Sequence, residues 1–191
     1  YLYINSFFEI EDIDKKILKK IDLEKLLDSK NFVKKLNSEF EINFKSRKFN
    51  RDLVDDLNLK LDLAYGRINY LKKITILDNI LICEGDLNFL EEYPILFFKC
   101  SISLEDSQRF LKKFSIKTKN KIENFKINFE GNLNILNNRI NLKKVLIDNN
   151  YEASKEDLEF FNKIVENNIL DESIFEIFKV KKIKEFIEEI I

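Results

Sequence analysis

Adjacent carboxylates such as Asp55-Asp56, Glu91-Glu92, Asp171-Glu172 and Glu188-Glu189 are the first candidates for chemistry. Acid–base catalysis needs two such groups held at separated pKa values in one cleft. Here each pair lies in a polar turn or on a helix with matching Lys, the pattern of a solvated face. Ser107 and Ser115 have no base to activate them, because the chain contains no His. The same absence removes Ser-His-Asp triads and His-ligated metal sites. Only three Gly occur, so no Gly-rich phosphate loop can be built, and no Asp/Asn/Gly stretch has calcium-loop spacing. We expect no enzyme, no cofactor and no metal.

Cys83 and Cys100 are the only cysteines, and both sit in apolar runs. They read as small buried hydrophobes. A cross-strand disulfide would require an oxidising compartment, and spacing alone cannot place them within bonding distance. The stretch from Lys112 to Lys126 carries Phe114 and Phe125 among lysines. A solvated helix end and loop accounts for it better than a nucleic-acid or anionic-lipid contact. Lys and Arg total 33 against 34 Asp and Glu, so no general phosphate-binding surface is expected either. What remains as a functional candidate is the arrangement of the apolar residues.

The 191 residues are 45% hydrophobic and 35% charged, enough to bury a sizeable core. Ile13, Ile17, Leu18 and Ile21 recur at helical spacing, and a second helix is expected from Asp22 to about Leu36. From Phe40 the period becomes two. Leu57, Leu59, Leu61, Leu63 and Tyr65 alternate with polar or small residues, the pattern of a half-buried strand. Ile74 and Ile76 follow, then runs over 80–83 and 95–102. After a short helix near 104–114, alternation returns in Phe125, Ile127, Phe129, Leu133 and Ile135, with one more strand over 140–147. The last forty residues are helical, with Leu158, Phe161, Ile164 and Val165 on one stripe; Ile174, Ile177 and Phe178, then Ile183, Phe186 and Ile187, form another.

Tight polar connections in place of crossover helices make the sheet mainly antiparallel. The expected organisation is a helical lead-in over 1–38, a sheet over 39–150, and C-terminal helices over 151–191. The class is α+β. No segment reaches the roughly 18 uninterrupted apolar residues of a membrane-spanning helix. Met is absent, position 1 included, so we expect a processed product or a piece of a longer protein.

Two stretches recur. Glu84-Gly85-Asp86-Leu87-Asn88-Phe89-Leu90 matches Glu130-Gly131-Asn132-Leu133-Asn134-Ile135-Leu136, and Arg67-Ile68-Asn69 matches Arg139-Ile140-Asn141. Gly inside a strand marks a bulge or close backbone approach, so the recurrence implies a bend repeated along one sheet of stacked hairpins.

Ser103 to Phe114, followed by Phe125 to Leu136 and Arg139 to Leu142, resembles the recurring order of the AsmA-like family of Gram-negative envelope proteins, which includes large bridge-like lipid-transfer proteins. Ile21 to Leu27 and Tyr65-Gly66-Arg67-Ile68 are similar to other phrases of that family. The family carries more Gly in its turns than this chain does. The resemblance implies the C-terminal part of a periplasmic protein anchored in the inner membrane. Its strongly curved sheet of repeated hairpins would form a groove, open to phospholipid acyl chains moving between the inner and outer membranes. The expected groove lining is Leu57, Leu59, Leu61, Leu63, Ile74, Ile76, Phe125, Ile127, Phe129, Leu133 and Ile135. The alternative is an α+β interaction or scaffold module whose apolar face is closed as an ordinary core.

Overall fold

The computed structural model describes residues 2–11, 30–45, 55–76, 78–105, 107–113, 124–137, 139–148 and 150–169. Among them, nine strands form one open, curved and mostly antiparallel sheet, accompanied by three short helices. The strands are β1 (Leu2–Ile10), β2 (Leu36–Lys45), β3 (Asp56–Ala64), β4 (Arg67–Ile76), β5 (Asn79–Asn88), β6 (Ile95–Leu104), β7 (Phe125–Asn134), β8 (Arg139–Ile147) and β9 (Tyr151–Glu152). The helices are α1 (Lys30–Val33), α2 (Ser107–Lys113) and α3 (Lys155–Ile169). Spatial order follows chain order from β1 to β9. Each strand therefore meets its sequence neighbours and little else.

Only β1 departs from antiparallel pairing, lying parallel to β2 with Leu2 opposite Leu36 and Ile10 opposite Phe44. A parallel neighbour cannot be reached by a hairpin. Residues 11–35, which include α1, make that connection. Between β3 and β4 the turn is tight, with positive φ at both Tyr65 and Gly66, the two-residue form that matches the twist of the flanking strands.

The chain does not open with the expected helix over 1–38. Residues 2–10 are a strand instead, paired along their whole length with β2; adjacent Phe7 and Phe8 put apolar side chains on both faces, which hides the period of two in the sequence. The expected second helix also ends early. Lys34 and Lys35 form a turn, with Lys35 N–H donating to Phe32 C=O at 2.9 Å. Leu36 then starts β2 as a buried strand residue. The helical stripe Ile13 to Ile21 and the stripes from Ile174 to Ile187 lie outside the described residues.

Helix α3 is capped at its N-terminus by Ser154 and Asp157. Asp157 N–H donates to Ser154 Oγ at 3.2 Å, and Ser154 N–H donates to Asp157 Oδ2 at 2.9 Å, a reciprocal capping box. Tyr151 Oη–H also donates to Asp157 Oδ2, at 2.6 Å. The Tyr151 bond, then those from Ser154, hold the Asp157 carboxyl below its ordinary value. A depressed folded-state pKa contributes stability that is present above the unfolded value and is lost as pH falls through the folded one. We therefore expect α3 to loosen on acidification below about pH 4. Asp157→Asn should flatten the acid limb of the unfolding free energy followed by α3 helicity. An unchanged acid limb would contradict this.

Candidate functional site: the apolar face of the sheet

Residues directly opposite in neighbouring strands point to the same face, so the register sorts every strand side chain. One row runs from Ile10 on β1 through Phe44, Leu57, Ile74, Leu81, Ile102 and Ile127 to Ile147 on β8. It is apolar at all eight strands. A second row on that face runs Ile4, Ser38, Leu63, Ile68, Leu87, Leu96, Leu133 and Ile140. Ile76 continues this face at the end of β4, and Ile135, just past β7, packs with Leu63 and Leu87 at the other margin.

The expected lining residues thus share one face, and their burial differs along it. Leu57, Leu59, Leu61, Ile76, Ile127 and Phe129 are half-buried, whereas Leu63, Ile74, Leu133 and Ile135 are buried. The Phe125 side chain lies outside the described residues. At one margin Val33 of α1, Leu36, Leu63, Leu87, Phe89 and Ile135 close into a core. At the β8 end, Leu158 and Phe161 of α3 pack with Leu142, Val145, Ile127 and Phe129. Helix α3 also closes the edge of β8: Leu142 N–H donates to Asn162 Oδ1 at 2.6 Å, and Asn162 Nδ2–H donates to Leu142 C=O at 3.3 Å. One amide side chain takes the place of a strand there, which blunts an otherwise free edge.

Between these rows, Cys83 faces Cys100 across β5 and β6, and the two are bonded as a disulfide. Sequence spacing could not supply that pairing, since it depends on register. In the row beyond, Gly85 lies between Tyr70 and Phe98, and Gly131 between Phe98 and Leu142. The Tyr70 ring occupies the space a side chain at Gly85 would need, and the Phe98 ring does the same at Gly131. Each glycine so serves as a floor for the aromatic of the preceding strand. The register shifts between Glu130 and Gly131, a β-bulge against β8.

One charge lies on the apolar face. Lys72 is opposite Leu59 on one side and Cys83 on the other, with Tyr70 and Ile74 next along its own strand. It is half-buried, and burial lowers its pKa from the ordinary lysine value. Tyr70 beside it is pushed up to about 12, by burial first and by the charge of Asp86 second. Among the described strand residues, Lys72 is the sole ionised group on this face by register. The sequence Lys72-Lys73 reads as an ordinary solvated pair, yet Lys72 is in phase with Ile68, Ile74 and Ile76, and that phase was the available signal.

The opposite face is mixed, with Leu71, Ile82 and Phe97 exposed among polar and charged residues, and charge pairs across it favour this register. Glu84, Lys99, Glu130 and Lys144 stand opposite one another in alternating sign from β5 to β8, and Lys60 pairs with Glu41 at 3.3 Å. A depression of about 520 Å³ on this side is lined by Glu84, Asp86, Phe97, Lys99, Glu130 and Lys143, with the Lys143 ammonium over the Phe97 ring. It brings three carboxylates together with two ammonium groups, so charges of both signs face it.

Among the described residues, the candidate pairs Asp55-Asp56 and Glu91-Glu92 lie at different ends of the sheet, at the start of β3 and after β5. Asp56 accepts from Thr75 Oγ1 at 3.0 Å at the start of β3, and Glu91 accepts from Asn88 in the turn after β5. Asp171-Glu172, Glu188-Glu189, Ser115 and most of the Lys112 to Lys126 stretch lie outside the described residues. Among the described residues, no cluster of acidic groups and cysteines has metal-binding geometry, and no helix is long and apolar enough to cross a membrane. Comparison with protein families, with curated proteins and with solved structures finds no match for this chain.

Proposed function

We propose that the apolar face is one wall of a lipid-carrying groove in an AsmA-like envelope protein, and that the chain performs no covalent chemistry. The row from Ile10 to Ile147 carries this reading. It crosses seven strand spacings of about 4.8 Å each, roughly 34 Å along the sheet. An acyl chain spans half of a bilayer core about 30 Å thick, so the row exceeds one chain length. Each methylene withdrawn from water contributes about 0.8 kcal/mol. A wall of Leu, Ile and Phe gains that energy without directional bonds, so a chain slides along it.

On this reading the sheet is built from repeated hairpins, with β5 and β7 as equivalent strands. Two sets of contacts support the equivalence. Asn88 Oδ1 accepts from Leu90 N–H as Asn134 Oδ1 accepts from Leu136 N–H, at 3.1 and 3.0 Å. Phe89 N–H donates to Gly66 C=O as Ile135 N–H donates to Pro94 C=O, one hairpin apart. The curvature of such a sheet turns its apolar face into the inside of the groove. The Cys83–Cys100 disulfide supports an oxidising compartment, consistent with the periplasm and with a parent protein anchored in the inner membrane.

The test is lipid retention. The chain expressed in the periplasm of a Gram-negative bacterium should leave mild purification with phospholipid bound, read by native mass spectrometry. A lipid-free protein that also fails to take up a fluorescent phospholipid contradicts the proposal. The rival reading, an interaction module with a closed core, is favoured by the buried cluster around Phe89 and by α3 over β8. It expects neither binding.

A further inference from the structure

We propose that the end of the sheet formed by the β3–β4, β5–β6 and β7–β8 turns, together with α1, docks on the surface of an anionic bilayer. Such docking is independent of the groove, since it engages strand ends and not the apolar face. Turns ordinarily carry polar residues at their tips. Here each tip exposes an apolar side chain: Tyr65 in the first, Leu90 and Tyr93 in the second, Leu136 in the third, all between 43% and 62% exposed. Phe32 of α1 is 61% exposed, and Lys30 ties that helix to the second turn by donating to Glu91 C=O at 3.0 Å. The described connections at the other end of the strands, at 11, 55, 78, 105, 124, 148 and 150, expose no large apolar side chain. Two of them meet positive φ with Asp78 and Asp148, a residue type that tolerates it, whereas the β3–β4 turn places Tyr65 at φ 51°.

The tips form one ordered crest. Phe89 N–H donates to Gly66 C=O and Ile135 N–H to Pro94 C=O, which links each turn to the next. The Leu90 side chain lies over Gly66, and Asn88 and Asn134 hold the backbone of Leu90 and Leu136 by the same side-chain bond. Neighbouring tips are two strand spacings apart, so the crest is roughly 19 Å long. Leucines and amphipathic tyrosines on such an edge suit the boundary between head groups and acyl chains, where a tyrosine keeps its ring in one and its hydroxyl in the other. Charge selects the occupant. Lys30, Lys34, Lys35, Arg67 and Arg139 flank the crest against Glu91 and Glu92. The charged residues in the described connections at the other end are all acids: Glu11, Asp55, Asp78, Glu105 and Asp148. Basic side chains close to an anionic surface each add attraction, and the acidic end is turned away from it.

The experiment floats the whole chain with vesicles of phosphatidylcholine alone or of phosphatidylcholine mixed with phosphatidylglycerol. The chain should bind the anionic vesicles about tenfold more tightly or better, and lose that preference in high salt. Leu90→Ser with Leu136→Ser should weaken binding to anionic vesicles about tenfold or more. Leu71→Ser with Ile82→Ser, similarly exposed but on the mixed face of the sheet, should leave it unchanged. Lys34→Gln with Lys35→Gln should weaken binding to the anionic vesicles about tenfold and leave binding to the neutral ones as it was. Exposed substitutions of this kind cost little stability, and an unaltered thermal midpoint checks each variant. Equal binding to both vesicles, or equal losses from the two apolar pairs, overturns the proposal. Absence of flotation overturns it too, while lipid retained on the apolar face would still stand. Self-association that Leu90→Ser with Leu136→Ser abolishes, without flotation, would assign the crest to a second copy of the chain and likewise overturn bilayer docking.

Discussion

Gly85→Ala is expected to lower unfolding stability by about 3 kcal/mol or more, measured by urea titration, despite adding a single methyl group. The reason is space. A Cβ at this position would sit 1.9 Å from the Phe97 carbonyl oxygen and 2.8 Å from Tyr70 Cε1. The ring can turn away, but the carbonyl belongs to the paired strand β6 and cannot move without breaking the ladder. The double variant Gly85→Ala with Tyr70→Ala should therefore recover little, because it removes the softer of the two collisions. Substantial recovery, or a loss below about 1 kcal/mol, would show that the β5–β6 pair is not as close as described. At Gly131 the corresponding distances are 2.4 Å to Asn141 O and 2.9 Å to Phe98 Cζ. The same loss is expected there.

Phe89→Ala should be the most damaging change in the core, at about 3–5 kcal/mol. Phe89 is 1% exposed and packs with Val33, Leu36, Leu63, Leu87 and Ile135 where the face is closed. Its backbone is pinned as well, since Phe89 N–H donates to Gly66 C=O at 2.9 Å. The surroundings therefore have little freedom to collapse into the space left by the ring. Leu59→Ala offers the contrast. Leu59 is half-buried on the open stretch of the face, and its loss should cost about 1 kcal/mol or less. Similar costs at the two positions would mean that the middle of the face is sealed as tightly as its margin, the arrangement of a closed module.

Much of the sheet was legible because its cause is local. Alternation from Leu57 to Leu63 reports a strand with one wet face, and short polar connections report antiparallel neighbours. Strand β1 was not legible, because an edge strand with Leu2, Tyr3, Phe7 and Phe8 exposed has no single apolar phase. Register was not legible either, and the features that bear most on function depend on it. It brings Cys83 to Cys100, sets Tyr70 over Gly85, and puts Lys72 on the apolar face while Lys73 points to the opposite one. The closure of the β8 edge by Asn162 arises from helix docking and leaves no pattern in sequence.

The central claim is that the middle of the apolar face meets acyl chains. A photo-crosslinking amino acid placed singly at Leu59, Lys60 and Leu61, in protein exported to the periplasm of living cells, addresses it directly. Positions 59 and 61 share the apolar face, whereas position 60 lies opposite Glu41 on the other one. The account predicts lipid-mass adducts at 59 and 61 and none at 60. Adducts at none of the three, or at all three equally, would contradict it.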